Sequence, residues 1–437
     1  MLFAICSQCA LVQIGSREVN KKMAEYGCIG KKLTHSFSKE IHEKLADYKY
    51  ELIELNEDET ECFFAERNFK AVNVTIPYKE TVIPYMDILS DTAKRIGAVN
   101  CVVNKNNKLY GYNTDYYGMK ALFQRSDINP KDKKVLILGS GGTSKTARIL
   151  TEDMGALQII TVSRTKKDNC ITYEEALADH KDAQIIINTT PSGMYPDCDN
   201  MPIDISGFNC LEGVIDAIYN PLCSNLVLKA REKGIKAEGG LYMLVMQAVF
   251  AVQKFLDTEI DKSAAQNVFA DILSSKENIV LTGMPGSGKT TVGKLISPYG
   301  FTFVDTDSEI EKLCGCSIKE LIESKGEKYF RDTESEVIKS VSSKGGQIIS
   351  TGGGAILRKE NITALRRNGR IFFLNANPER LYPSKNRPLS DTADKLKRLY
   401  EERLHIYKET ADVVVPDSGA PQSEAEFILK ARTELIK

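Results

Sequence analysis

The sequence predicts an α/β protein of more than one domain, built around parallel sheets with helices on both faces. Three observations predict it. Short apolar runs of strand length alternate with helical stretches along nearly all of the 437 residues. Two of those runs, Lys134–Leu138 (KVLIL) and Ile279–Leu281 (IVL), enter glycine-rich turns that lead into helices. The length also exceeds what one hydrophobic core supports, so two or three domains are expected.

Composition narrows the function classes. The chain is 42% hydrophobic and 27% charged, with no tryptophan and a net charge of −1. Without a sustained basic run, nothing favours nucleic acid or an anionic membrane surface as a partner. No apolar run approaches the roughly 20 residues that span a bilayer. The eleven cysteines are irregularly spaced; Cys6/Cys9 and Cys314/Cys316 lack a matching second pair, which argues against zinc. Reduced thiols in a cytoplasmic enzyme are the expectation. Residues 1–22 are apolar at first but have no basic leading region, so they make a poor signal peptide. Organised sequence starts at about Met23.

From Ala24, EYGCIG reads as a strand ending at Gly30 and Lys39–Leu45 as a helix start. Ser36 and Ser38 flank Phe37 between them; such hydroxyls cap helices or hydrogen-bond a polyol or carboxylate. His35 and His42 have no acidic ligand at metal spacing and read as surface or packing residues. Tyr50–Leu55 is a strand, followed by a helix through Glu66. A strand over Ala71–Ile76 is broken by Pro77, with Lys79 on the next turn. After another helix come IGAVNCVV, a hairpin turn at Asn104–Asn107, and LYGYNTDYYGM. Asn73, Thr75, Lys79, Asn100, Asn113 and Asp115 thus collect at strand ends, where α/β units place ligands.

Gly139, Gly141 and Gly142 follow the strand Lys134–Leu138 and turn tightly into a helix, as in a dinucleotide-binding unit. The spacing is G-x-G-G and not the full G-x-G-x-x-G. The next strand, Gln158–Val162, ends in Ser163-Arg164-Thr165-Lys166-Lys167. An NAD enzyme places an acid there for the ribose 2′-hydroxyl, whereas Arg164 suits a 2′-phosphate, so the residues point to NADP. QIIIN, GVIDAIY and an apolar helix from Leu241 to Leu256 continue the alternation.

The turn after Ile279–Leu281 reads GMPGSGKTT, a complete G-x-x-x-x-G-K-T. Gly283, Gly286, Ser287, Gly288 and Thr291 would supply backbone N–H groups to phosphate oxygens. Lys289 adds a mobile positive charge and Thr290 a hydroxyl for Mg²⁺. Asp305 and Asp307 end the next strand. GEKYFRDTE offers Arg331 and Glu334, Gln347–Ser350 runs into three glycines, and a helix over Leu396–Thr410 carries Arg403.

On these residues two families can be named. Residues 24–270 resemble shikimate dehydrogenase through HSFSKEIH, NVTIPYK, GAVNCVV, GYNTDYYG, LGSGGTSK, NTTPSGM, IYNPLCSNL and GGLYMLVMQA. Residues 278–437 resemble shikimate kinase through GMPGSGKTTVGK, DTDSEI, GEKYFRDTE, STGGGAI, NRPLS and RLHIYKETAD. The resemblance implies a substrate-binding domain over 23–115 completed by 241–270, and a Rossmann NADP domain over 116–240. A linker at 271–277 and a P-loop kinase domain over 278–437 follow. It implies that Lys79 and Asp115 are the reductase's catalytic pair. Ser36, Ser38, Thr75, Asn100, Tyr219 and Gln247 match shikimate-binding positions. In the kinase, Asp307, Arg331, Gly353 and Arg403 match the shikimate-binding positions, Lys289 and Arg387 those that bind ATP phosphates, and Thr290 and Asp305 those on Mg²⁺. The implied activities are NADPH-dependent reduction of 3-dehydroshikimate and ATP-dependent phosphorylation of shikimate. An NAD-using quinate/shikimate dehydrogenase fused to a kinase, or a degenerate half serving as scaffold, are the alternatives.

The chain departs from the two patterns in places. Ala71 and Cys101 stand where the dehydrogenases more often have Gly and Thr, and Ser163 where they have Asn. The segment from Glu379 to Arg387, with Tyr382 and Pro383 in its middle, is shorter than the kinase family's lid. Arg380 or Lys385 would have to supply the missing arginine's charge, and a lysine lacks the bidentate fork. A short lid excludes water from the phosphates less well. ATP hydrolysis without shikimate is therefore expected at a measurable fraction of the phosphorylation rate, and three inserted residues with an arginine at Tyr382 should lower it. Undetectable hydrolysis in the absence of shikimate would show that this lid closes as it stands.

Overall fold

The computed structural model describes residues 24–33, 36–166, 169–381 and 392–436. The segment 1–22, His35, and the lid with Tyr382, Lys385 and Arg387 lie outside these residues.

Three sheets follow one another along the chain. The first takes β1 (Tyr26–Gly30), α1 (Ser38–Leu45), β2 (Tyr50–Glu54), α2 (Glu57–Glu66), β3 (Ala71–Val74), β4 (Ile88–Leu89), α3 (Asp91–Ile96), β5 (Cys101–Lys105) and β6 (Lys108–Tyr112). Its strand order is β2-β1-β3-β5-β6-β4, with β1 parallel to β2 and β3, and β5 antiparallel to β3 and β6. Asn56 and Glu59 start α2 with reciprocal side-chain-to-backbone bonds of 2.9 and 2.8 Å. Asn106 and Asn107 both take positive φ at the β5–β6 turn, the backbone that matches the twist of a hairpin. The strand expected to reach Ile76 ends at Val74. Thr75 instead opens a turn that closes through Tyr78 N–H to Thr75 O (2.9 Å), which leaves Ile76 exposed before Pro77. Ala71 and Cys101, the two departures from the family pattern, are fully buried in β3 and β5.

The second sheet follows α4 (Asp115–Ser126). It contains β7 (Lys134–Leu138), α5 (Gly142–Asp153), β8 (Gln158–Val162), β9 (Cys170–Ile171), α6 (Tyr173–Asp179), β10 (Ile185–Asn188), β11 (Gly213–Asp216), α7 (Asn225–Glu232) and β12 (Lys236–Glu238). All strands are parallel, in the order β12-β11-β10-β7-β8-β9. Strand order reverses between β7 and β10, which opens a crevice at their carboxyl ends. The long apolar α8 (Leu241–Leu256) then packs against α4 and α1.

Residues 271–276, the bulk of the expected linker 271–277, are helical. They form the last turns of α9 (Lys262–Lys276), and Glu277 alone separates that helix from the third sheet. The reason is packing: Ala265, Val268, Phe269 and Ile272 repeat at helical spacing and bury against Ile41, Val245 and Val249.

The third sheet holds β13 (Asn278–Thr282), α10 (Lys289–Ile296), β14 (Thr302–Asp305), α11 (Thr306–Cys314), α12 (Ile318–Ser342), β15 (Gln347–Ser350), α13 (Lys359–Asn368), β16 (Gly369–Asn375), α14 (Ala393–Thr410), β17 (Val413–Pro416) and α15 (Pro421–Ile436). It is parallel, ordered β14-β15-β13-β16-β17, so the strand before the G-x-x-x-x-G-K-T turn sits at its centre. Asp307 was expected at the end of β14 and lies instead in the first turn of α11. Asp305 caps that helix, accepting from Asp307 N and Ser308 N at 3.1 and 3.3 Å. Thr392 likewise caps α14 and starts it three residues before the expected Leu396. Among the described residues no helix is long and apolar enough to cross a membrane.

One buried acid makes the second sheet sensitive to pH. Asp216, at the end of β11, is fully buried and accepts from Asn188 Nδ2 (2.9 Å), Ile218 N (3.0 Å) and Ser224 Oγ (2.5 Å). Burial pushes its carboxyl from the usual 3.8 up to about 6, against the downward pull of those bonds. A raised carboxyl stabilises the fold below the unfolded value near 4 and loses that contribution as pH climbs through about 6. Between about pH 4 and pH 7 the wild type should lose up to about 3 kcal/mol relative to Asp216→Asn, read from denaturant unfolding. A stability difference that does not change with pH would contradict this.

Candidate active sites

In the first half, the turn that ends β3 and the start of α4 bring two charges together. Lys79 Nζ lies 2.6 Å from Asp115 Oδ2, with side chains only 13% and 9% exposed. Asp115 is the first residue of α4, where the helix end favours a carboxylate. Asn100 holds it there: its Nδ2 donates to Asp115 Oδ1 (2.9 Å) and Thr114 Oγ1 (3.0 Å), and its Oδ1 accepts from Thr114 N (2.6 Å). Gln247 Oε1, from α8, lies 3.4 Å from Thr114 Oγ1. Behind Asn100, Asn73 Nδ2 donates to its carbonyl (3.2 Å), and Tyr50 Oη donates to Asn73 Oδ1 (2.7 Å). His42 is a packing residue, stacked on Tyr50 with ring centroids 4.0 Å apart. Burial pushes its imidazole down to about 3, so it stays neutral.

Of the other expected substrate residues, Ser36, Ser38 and Tyr219 lie around Phe37. Ser36 Oγ accepts from Ser38 N (3.2 Å), and Phe37 between them meets the Tyr219 ring at 5.3 Å. Thr75 follows β3 directly. The second sheet closes the site from the far side. A methyl group at Gly142 would lie 3.7 Å from Lys79 Cδ, so the start of α5 abuts the lysine. Arg95 to Asp153 (2.7 Å) and Lys145 to Glu80 (2.6 Å) brace the two units beside it.

The turn after β7 fits a phosphate-bearing dinucleotide. Gly139 has φ 109°, and a Cβ there would meet Thr189 Oγ1 at 2.7 Å, so the chain can turn under the crevice only with glycine. Gly141 caps α5 and Gly142 opens it. At the end of β8, Ser163 is buried and bonds to the Thr165 carbonyl. Lys166 pairs with Glu175 (2.6 Å), whereas Arg164 stands exposed.

In the third sheet, a cleft of about 580 Å³ lies above β13 and is lined by both the phosphate loop and the Gly352–Gly354 turn. Gly283 takes φ 151°, and a Cβ would meet Ser287 Oγ at 2.7 Å and Leu374 O at 2.9 Å; the loop needs glycine to curl with its amides inward. Gly286 and Gly288 also have positive φ, and Thr290 and Thr291 begin α10 behind them. Lys289 Nζ donates to the Gly283 and Met284 carbonyls at 2.8 and 2.9 Å. Thr290 Oγ1 donates to Asp305 Oδ2 (2.9 Å), an oxygen pair of the hard type that Mg²⁺ takes. Arg403 Nη1 donates to Gly353 O (3.1 Å). Arg380 pairs with Asp417 outside the cleft (3.0 Å).

Two residues in or beside this cleft received no role from the sequence, Glu334, noted only beside Arg331, and Tyr407. Glu334 is fully buried and holds Arg331 at 2.7 Å through one oxygen. The other has no hydrogen-bond partner among the described residues, and burial pushes the carboxyl up against the pull of Arg331. A methyl at Gly352 would meet both that oxygen and Asp307 Oδ1 at 2.7 Å, so the two carboxyls converge on one point. Tyr407 Oη lies 2.6 Å from Gly353 O and 3.0 Å from Gly283 O, tying the phosphate loop to the glycine turn. Helical spacing was the available signal: Glu334 lies three residues after Arg331, and Tyr407 four after Arg403.

Comparison with known proteins agrees with this division of labour. Residues 28–102 match the family model of the shikimate dehydrogenase substrate binding domain, and residues 285–433 match that of shikimate kinase. A shikimate dehydrogenase (NADP(+)) of Clostridium beijerinckii is 38% identical over 265 residues, which span 57% of this chain and 97% of that protein. Shikimate dehydrogenase 1 from Peptoclostridium difficile superposes with a TM-score of 0.54 at 35% identity, over 57% of this chain and 98% of that one. The Thermus thermophilus shikimate 5-dehydrogenase, solved with NADP(H) and shikimate, gives 0.52 at 26% identity, over 57% and 99%. The chain therefore belongs to the shikimate dehydrogenase family and carries, fused behind it, a shikimate kinase domain.

Proposed function

We propose that the two halves act in succession on one ring hydroxyl, the first forming it by reduction of 3-dehydroshikimate and the second phosphorylating it. The observation that carries this reading is the Lys79–Asp115 pair, set against the glycine turn of a dinucleotide unit and followed in the same chain by a complete phosphate loop. When bound, NADPH supplies the hydride and ATP the phosphoryl group.

In the reductase, the Lys79 ammonium faces the carbonyl oxygen, stabilises the negative charge that grows there and gives it a proton. Asp115, fixed by Asn100, orients the ammonium and accepts from a substrate hydroxyl. Ser36, Ser38, Thr75, Asn100, Tyr219 and Gln247 hold the remaining polar groups of the substrate. Gly139, Gly141 and Gly142 receive the pyrophosphate, and Ser163, Arg164 and Thr165 the 2′-phosphate, for which a carboxylate would be repulsive.

In the kinase, Asp307 takes the proton of the attacking hydroxyl, while Arg331 and Arg403 hold the substrate carboxylate and ring hydroxyls against Gly353. Glu334 fixes Arg331 in that pose. Lys289 exchanges the loop carbonyls for phosphate oxygens, joined by Arg387, and Thr290 with Asp305 would hold Mg²⁺ directly or through water. Positioning and charge neutralisation are what phosphoryl transfer mainly requires. Both reactions use small soluble molecules, and a cytoplasmic enzyme is the location that suits them.

Lys79→Ala tests the assignment, because the two activities can be read separately in one protein. Reductase turnover should fall by roughly 10²–10⁴, while ATP-dependent phosphorylation of supplied shikimate stays near wild type. Reduction within a few-fold of wild type would remove Lys79 from the mechanism.

A further inference from the structure

The loop that carries Tyr219 is held from the kinase side. Three and four residues beyond Tyr219, Leu222 N donates to Asn368 Oδ1 (2.9 Å) and Cys223 N to the Arg367 carbonyl (2.8 Å). Arg367 and Asn368 end α13, and neither lines the kinase cleft. The Arg367 guanidinium is only 5% exposed and turns entirely toward the reductase half. Its Nη2 reaches Asp199 Oδ1 (2.7 Å), its Nη1 Cys198 Sγ (3.0 Å) and its Nε Asn225 Oδ1 (3.1 Å). Asn368 Nδ2 lies 3.2 Å from Tyr195 Oη, and Tyr195 N donates to Asn220 O (3.2 Å). The segments Tyr195–Asp199 and Tyr219–Asn225 are thus joined to each other and to one corner of the kinase.

A buried guanidinium is costly unless its donors are met, and here all three nitrogens find acceptors on the other unit. Charge alone would have been satisfied by Lys339, which already pairs with Asp199 at the surface. The forked geometry of Arg367 adds direction, not merely attraction. On the opposite side of the same short loop, Tyr219 packs with Phe37, Ile41 and Leu241 next to the candidate substrate residues.

We propose that Arg367 is a positioning residue for the reductase, supplied by the kinase domain, which sets the affinity for 3-dehydroshikimate by fixing the loop that bears Tyr219. The proposal rests on Tyr219 being a substrate contact.

The test uses the full chain. Arg367→Ala should raise the reductase KM for 3-dehydroshikimate about three- to ten-fold with little change in kcat, leave phosphorylation of supplied shikimate within about two-fold, and be partly rescued by Arg367→Lys. Asp199→Asn, which alters an exposed partner, should raise the same KM by less and keeps the test open if Arg367→Ala does not fold. Unchanged KM in both variants, or a parallel loss of both activities, would overturn the proposal. Tyr219→Ala separates the two claims: if it raises KM while the Arg367 and Asp199 variants do not, only the positioning role fails. If Tyr219→Ala leaves KM unchanged, the substrate-contact reading fails and takes the proposal with it.

Discussion

An ammonium and a carboxylate held 2.6 Å apart with little water around them is the interaction on which the N-terminal half depends. Such a pair stabilises nothing unless each remaining lone pair and proton is also met, since desolvation costs as much as attraction returns. The surrounding architecture meets that demand for the carboxylate. β3 stops early so that Lys79 sits on a turn and not in a ladder, α4 begins at Asp115, and Asn100 satisfies the second carboxylate oxygen. Asn73 and Tyr50 then fix Asn100 from behind. Each link behind Asp115 is buried, and a network of this kind is stiff because any rotation leaves a polar group unpaired.

The C-terminal half meets a related constraint differently. In the proposed reaction its charges must stay close but available, because phosphates and a carboxylate would displace their resting partners. Lys289 rests on two backbone carbonyls, which compete weakly with phosphate oxygens. Arg331 does have an acid, yet Glu334 occupies it from the buried side and leaves the guanidinium directed to the cleft. Tyr407 joins the phosphate loop to the Gly352–Gly354 turn, so the two segments share one hydroxyl.

Much of this was legible in the sequence because it is local. Strand-to-glycine-turn-to-helix is a pattern of adjacent residues, and it located β7, β13 and both phosphate turns. Lys79, Asp115, Asp305 and Asp307 can be singled out because motifs keep them beside strand ends. The errors have local causes too: Thr75 turned before Pro77, and Asp305 captured the amides of Asp307 and Ser308 and drew Asp307 into a helix. What could not be read is what the fold brings together from afar. Gln247 approaches Asn100 from 147 residues away, and Arg367 reaches Asp199 across 168. The cluster that buries Ile272 ties α9 to the N-terminal half. Its end is gripped by the kinase as well, where Arg432 donates to Ser274 Oγ and O at 2.9 and 2.6 Å.

The central claim is that one chain forms a hydroxyl and then phosphorylates it. The most direct measurement supplies purified protein with 3-dehydroshikimate, NADPH and ATP, and follows NADPH oxidation and ADP release in the same sample. ADP release above the shikimate-independent background should start after NADPH oxidation, depend on it, and end with a phosphorylated product in equal amount to the NADPH consumed. NADPH oxidation without any substrate-dependent ADP release, or ADP release that proceeds equally when NADPH is omitted, would contradict it.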